Sequence, residues 1–177
     1  PGARYTCAMH DKSLSNFLFL IAAMVLIMAV IVAATRLTES GLSITYWKPI
    51  TGAIPPMTEV DWQKEFQLYQ TSPQFQKVNQ HMTLAEFKNI FWWEWVHRQW
   101  GRLIGLVYAG GLAWFWLRRR IPVNYKKPLL GLLLLGAAQG LMGWLMVKSG
   151  LIDNPAVSHY RLAAHLFLAV LIYIWAL

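Results

Sequence analysis

Phe91–Leu117 reads FWWEWVHRQWGRLIGLVYAGGLAWFWL. Crossing a bilayer takes about 20 mostly apolar residues, and this stretch is long enough. Yet its first half holds a carboxylate (Glu94), an imidazole (His97) and two guanidiniums (Arg98, Arg102). Charge at membrane depth is costly, so such groups face a bundle interior, a cavity or a partner. On a helix Glu94, His97, Arg98, Gly101 and Gly105 fall on one stripe, with Arg102 at its edge. Two readings stand side by side. Glu94 and Arg98 are four residues apart and suit an interfacial ion pair, and the two glycines suit close helix packing. Alternatively the stripe offers an imidazole beside room for a flat macrocycle.

The rest of the chain places this segment in a membrane protein. Of 177 residues, 56% are hydrophobic and only 14% charged, where soluble domains run nearer a quarter charged. Three further apolar runs are expected to span: 17–34, 128–147 and 157–177. With 91–117 they predict an all-α integral membrane protein built as a four-helix transmembrane bundle. The net charge of +8 does not indicate a nucleic-acid partner. Five of the sixteen Lys and Arg lie in RRRIPVNYKK (Arg118–Lys127), between two spans, as in a cytoplasmic or matrix loop. The N-terminus, with Arg4 and Lys12, then lies on that side, and 35–90 and 148–156 lie outside. The outer loop carries five acidic and five basic residues, a balance suited to translocation.

A second imidazole sharpens the reading of the first. His165 lies inside the last span, with Arg161 one turn earlier on the same face. Spans two and four run in the same direction. His97 is the seventh residue of one and His165 the ninth of the other, so at about 1.5 Å per residue they sit at similar depth. Two level imidazoles on two helices of a bundle are what bis-histidine haem ligation requires. Arg98, Arg102 and Arg161 stand near enough to pair with haem propionates. In LGAAQGLMGW, Gln139 with Gly136, Gly140 and Gly143 reads as close packing with a hydrogen bond across the bundle. His10, His81 and His159 lie in polar segments or on another face and are not expected to be ligands. Cys7 stands alone, so no intramolecular disulfide or cysteine metal site forms.

The outer loop is not read as a linker. Ile44–Pro56 is rich in turn formers and aromatics. Thr58–Gln70 reads as a short amphipathic helix on the membrane surface, capped by Thr58 with Asp61 at its third position, and with Val60, Phe66 and Tyr69 leaning to one side and Trp62 beside it. No signal-peptide pattern precedes the first span. The chain starts at Pro1 and stops inside the last span, which suggests a longer protein.

Several long blocks resemble one family. They are TRLTESGLSITYWKPITGAIPP (35–56), MTLAEFKNIF (82–91), EWVHRQWGRLIG (94–105), QGLMGWLMVKSGL (139–151) and VSHYRLAAHL (157–166). In order and spacing they resemble the N-terminal half of haem A synthase, in its mitochondrial and alphaproteobacterial branch. The resemblance implies half of a pseudo-symmetric eight-helix protein that oxidises the C8 methyl of haem O to a formyl group. It implies His97 and His165 as axial ligands of the haem O iron, and Glu94 as the essential acid of an E-x-x-H-R pattern. It implies a haem B held by the absent C-terminal half, supply by a haem O synthase, an electron donor, and possible homo-oligomers in a bacterial cytoplasmic or mitochondrial inner membrane. Two departures stand out. Ala33 and Ala34 replace glycines and are expected to tighten packing in span one, and the outer-loop cysteine pair of another branch is missing. Two other functions use the same features. A cytochrome b-like electron carrier needs the histidine pair but not Glu94, and a haem or lipid transporter uses the charged stripe as a path.

Overall fold

The computed structural model describes the backbone of residues 2–46, 51–151 and 158–177, and side chains from Lys12 onward. The side chains of Arg4, Cys7 and His10, part of the 44–56 stretch, and the 152–157 connection lie outside these described residues. Among them the order is α1 (Gly2–Leu37), a 3-10 turn (Thr51–Ala53), α2 (Glu59–Gln70), α3 (Pro73–Lys77), α4 (Leu84–Leu117), α5 (Val123–Gly150) and α6 (His159–Ala176). The protein is an all-α membrane protein. Within α1, α5 and α6 lie stretches long and apolar enough to cross a bilayer. α4 is longer than α6 but carries Glu94, Arg98 and Arg102 around its middle, which lowers its apolarity.

Local chemistry explains the boundaries. α4 begins at Leu84, seven residues before the apolar run expected from Phe91, because Thr83 and Glu86 form a capping box. The Thr83 amide donates to Glu86 Oε2 at 2.7 Å. α5 begins at Val123 rather than Pro128, with Pro122 at its N-cap, so Lys126 and Lys127 belong to the helix. α1 and α4 both end in Schellman turns. Ser40 N–H donates to Thr35 O and Glu39 N–H to Arg36 O; Arg120 N–H donates to Phe115 O and Arg119 N–H to Trp116 O. The residues in the left-handed position are Glu39 (φ 52°) and Arg119 (φ 51°), where glycine is the unstrained choice. Glu39→Gly is therefore expected to raise stability by about 0.5–1 kcal/mol, read as a higher Tm in detergent. A lower Tm would show that the Glu39 side chain compensates the backbone.

α1 and α4 run antiparallel, side by side. A Cβ on Gly101 would lie 3.3 Å from Met28 Cε, and one on Gly111 would lie 2.3 Å from the Phe17 ring. Gly101 thus serves helix contact with α1 rather than space for a ligand. Trp100 Nε1 donates to Met24 O at 2.8 Å on the same seam. α5 and α6 pair likewise, with Gly131 against Trp175 and Gly143 against His165. α1 also packs on α6, while α4 and α5 make the sparsest contact among these neighbours. That order sets α4 and α6 diagonally across the bundle. Ala33 is exposed and Ala34 half-buried.

Two apolar cores result. One fills the end of the bundle next to Arg118–Lys127, here the basic end. Leu14, Ile21 and Met24 meet Tyr108, Leu112 and Phe115, then Leu129, Leu132, Ile172 and Ala176. The Tyr108 hydroxyl donates to Leu129 O at 2.7 Å. The other core, at the loop end, ties α2 and α3 to the start of α4 through Trp62, Tyr69, Phe87, Ile90 and Phe91. Trp62, not Val60, takes the buried side of α2; Val60 is 61% exposed.

The α2 cap forms as expected. The Thr58 hydroxyl donates to Asp61 Oδ2 at 2.7 Å, and Asp61 N–H donates back to the Thr58 oxygen at 3.2 Å. The Thr58 hydroxyl, then its amide, hold the Asp61 carboxyl below its ordinary value of 3.8. A depressed carboxyl stabilises the fold above its unfolded pKa, and that contribution is lost as pH falls through the folded pKa. The first turn of α2 is therefore expected to loosen below about pH 4. Amide exchange of residues 59–62, corrected for intrinsic pH dependence, checks this, and Asp61→Asn should already show the loosened turn at neutral pH.

Candidate functional site

Three helix stripes change character at one level of the bundle. On α4, His97 shares a stripe with Tyr108 and Phe115. On α6, His165 shares one with Ile172 and Ala176. On α5, Gly136, Gln139 and Gly143 continue the stripe of Leu129 and Leu132. Toward the basic end each stripe is bulky, apolar and buried. Toward the loop end each turns to imidazole, amide or glycine.

The two imidazoles are level. The Tyr108–Leu129 bond fixes α4 against α5, and Gly131 against Trp175 fixes α5 against α6. From Tyr108 to His97 is eleven residues, about 16 Å along the axis. From Leu129 to Gly131 and then from Trp175 back to His165 totals about 18 Å. The imidazoles thus stand within about one turn of each other, on diagonal helices.

His165 is half-buried, and its Nδ1 is buried without a hydrogen-bond partner. Its Nε2 lies 3.4 Å from Gln139 Nε2, and Gln139 Oε1 is likewise buried and unpartnered. Gln139 therefore reaches His165 itself. Gly143 passes so close that a Cβ there would lie 3.4 Å from His165 Cε1, whereas Gly105, Gly136 and Gly140 have no neighbour within 4 Å of such an atom. An imidazole whose Nδ1 is buried and unpartnered, a second imidazole at its level and a glycine-lined wall fit a planar macrocycle whose metal takes two histidines. Among the described residues no group of three His, Cys, Asp or Glu side chains forms a metal cage.

The charged residues divide. Glu94 is 2% exposed. Its Oε2 accepts from the Ser43 hydroxyl at 2.7 Å and from Ile44 N–H at 2.8 Å, and its Oε1 accepts from Arg98. Arg98 also donates to Ile44 O at 2.9 Å. Both side chains thus hold the segment after α1, and the i,i+4 ion pair is present as part of a larger network. Arg102 bonds Gln99 Oε1 at 2.8 Å. Arg98 and Arg102 line a cavity of about 390 Å³ with Tyr46, Phe91 and Trp95. Arg161 is exposed on the first turn of α6, one turn from His165. His81 and His159 are exposed, away from the pair. Ser43 and the Ile44 amide escaped the sequence reading; a serine between Leu42 and Ile44 was the available signal.

The fold is that of a helical membrane protein with His97 and His165 level on diagonal helices. The chain belongs to the COX15-CtaA family of cytochrome oxidase assembly proteins, which it matches over residues 15–177. It is 55% identical over 160 residues to a haem A synthase of Novosphingobium aromaticivorans, covering 89% of this chain and 46% of that protein. It is 54% identical over 168 residues to one of Maricaulis maris, covering 95% and 49%. Against one of Agrobacterium fabrum it is 59% identical over 140 residues, covering 79% and 38%. The chain thus spans about half the length, or less, of these curated relatives. No solved structure matches it.

Proposed function

We propose that this chain is the N-terminal four-helix half of an eight-helix haem A synthase, and that its histidine pair holds haem O. The observation that carries this is the three-stripe change: bulky packing at the basic end gives way, at one level, to His97, His165 and a glycine-lined wall. The relatives' names supply the product, haem A, and the family resemblance supplies the reaction, oxidation of the haem O methyl to a formyl group. When bound, the haem supplies the iron and the methyl group that is oxidised.

The residues have separable tasks. His97 and His165 would hold the haem iron. Gln139, 3.4 Å from His165, orients that imidazole. Gly105, Gly136 and Gly140 leave room for the ring. Arg102 and Arg161 sit where guanidiniums pair with propionates, while Arg98 is engaged with Glu94 and the main chain of Ile44. α4 crosses as the fourth span, because its residues 100–115 run beside α1. The basic connection lies on the cytoplasmic or matrix side. The C-terminal half carries haem B, a haem O synthase supplies the substrate, and a separate donor supplies electrons.

The test is pigment extraction from membranes holding the full-length protein and a source of haem O. Haem A is the expected product. A bis-histidine haem spectrum with haem O left unconverted would favour an electron carrier, and no bound haem at all would end the reading.

A further inference from the structure

The chain leaving α1 is pinned along its course over the loop end. Gln74 Nε2 donates to Glu39 O at 3.0 Å. Leu42 is buried against Gly150, where a Cβ would come within 2.8 Å of Leu42 Cδ2. Ser43, also buried, donates to Glu94 Oε2 at 2.7 Å, and the Ile44 amide donates to the same oxygen at 2.8 Å. Arg98 clasps the other carboxylate oxygen and the Ile44 carbonyl. Residues 39–46 therefore form a strap from α3 across the end of α5 to α4. α4 and α5 touch each other sparsely, so the strap joins their loop ends, and its anchor lies one turn above His97.

We propose that Glu94 and Ser43 are positioning residues that latch this strap over the paired-histidine site and so hold its loop end closed. All of the hydrogen-bond partners found for the Glu94 carboxylate belong to the strap or to Arg98. A buried carboxylate so occupied keeps its charge paired and its oxygens fixed, which suits an anchor. The role in the reaction rests on the haem reading above; the latch itself rests on the contacts alone.

Glutamine at position 94 distinguishes an anchor from a proton carrier. Its carbonyl oxygen still accepts from Ser43 and Ile44, but it cannot take up and release a proton at this site. The experiment uses the full-length protein in detergent, comparing wild type with Ser43→Ala, Glu94→Ala, Glu94→Gln and the double alanine variant. Hydrogen exchange of peptides within 39–46 is read beside haem A yield. Exchange is expected to rise at least tenfold in each alanine variant, to rise no further in the double, and to stay within about threefold of wild type in Glu94→Gln, with α4 peptides unchanged. Haem A yield should follow the same order, Glu94→Gln well above Glu94→Ala. Unchanged exchange in Glu94→Ala would overturn the latch. Glu94→Gln as inactive as Glu94→Ala, or full haem A yield in Ser43→Ala, would overturn the positioning role. Should the wild type make no haem A, the enzymatic reading falls, and the exchange still decides the latch.

Discussion

His97→Ala and His165→Ala are each expected to remove the low-spin, six-coordinate haem signal of the N-terminal site and to reduce haem A yield by at least about 100-fold, with haem O accumulating. The size follows from where the imidazoles stand. They are level on diagonal helices, and no other histidine among those described lies beside them. His81 and His159 are exposed and elsewhere, so neither loss has a substitute at hand. Gln139→Leu makes a graded control. It removes the amide 3.4 Å from His165 Nε2 but leaves both imidazoles. A second-sphere change of this kind costs about 10–100-fold in affinity or activity. The order wild type, Gln139→Leu, then either histidine variant should appear in both the reduced-minus-oxidised spectrum and the extracted pigments. A haem signal of this site surviving at full strength in either histidine variant would release that residue from ligation.

Much of this was legible in the sequence because it is local. Apolar length marked three helices that the structure also shows as long and apolar enough to span. The thirteen residues between Thr83 and His97 hold a second lesson: T-L-A-E is a capping box, yet an apolarity window passes over it, and the helix starts seven residues before the apolar run. Helical periodicity placed Glu94, His97, Arg98 and the glycines near one stripe but could not say what each would meet. Gly101 meets Met28 because α1 lies on that side. Glu94 meets Ser43, fifty-one residues earlier. Such contacts depend on how the long loop returns to α4, and no local pattern encodes that path. Val60 is exposed and Trp62 buried for a similar reason. They lie on different faces of α2, and the face that is buried is decided by Phe87 and Phe91 on another helix.

That aromatic contact carries the largest stability prediction. Phe87 is 0% exposed, and its ring centroid lies 5.1 Å from Tyr69, 5.2 Å from Phe66, 5.9 Å from Phe91 and 6.5 Å from Trp62. Truncating a buried phenylalanine to alanine typically costs about 3–5 kcal/mol, the loss of transfer energy plus the cavity left behind. Here the loss falls on a small outer layer that touches the bundle mainly through α4. Phe87→Ala is therefore expected to release α2 and α3 while leaving the basic-end core of Tyr108, Leu112 and Phe115 packed. Limited proteolysis should cut within 59–77 at least tenfold faster, and Val60→Ala, at an exposed position on the same helix, should cut at the wild-type rate. The consequence reaches the strap, because α3 holds it through Gln74 and Glu39. Exchange across 39–46 should rise in Phe87→Ala although Glu94, Ser43 and Arg98 are all intact. Faster proteolysis of 59–77 with the strap still protected would mean that the Glu94 anchor holds it without help from α3.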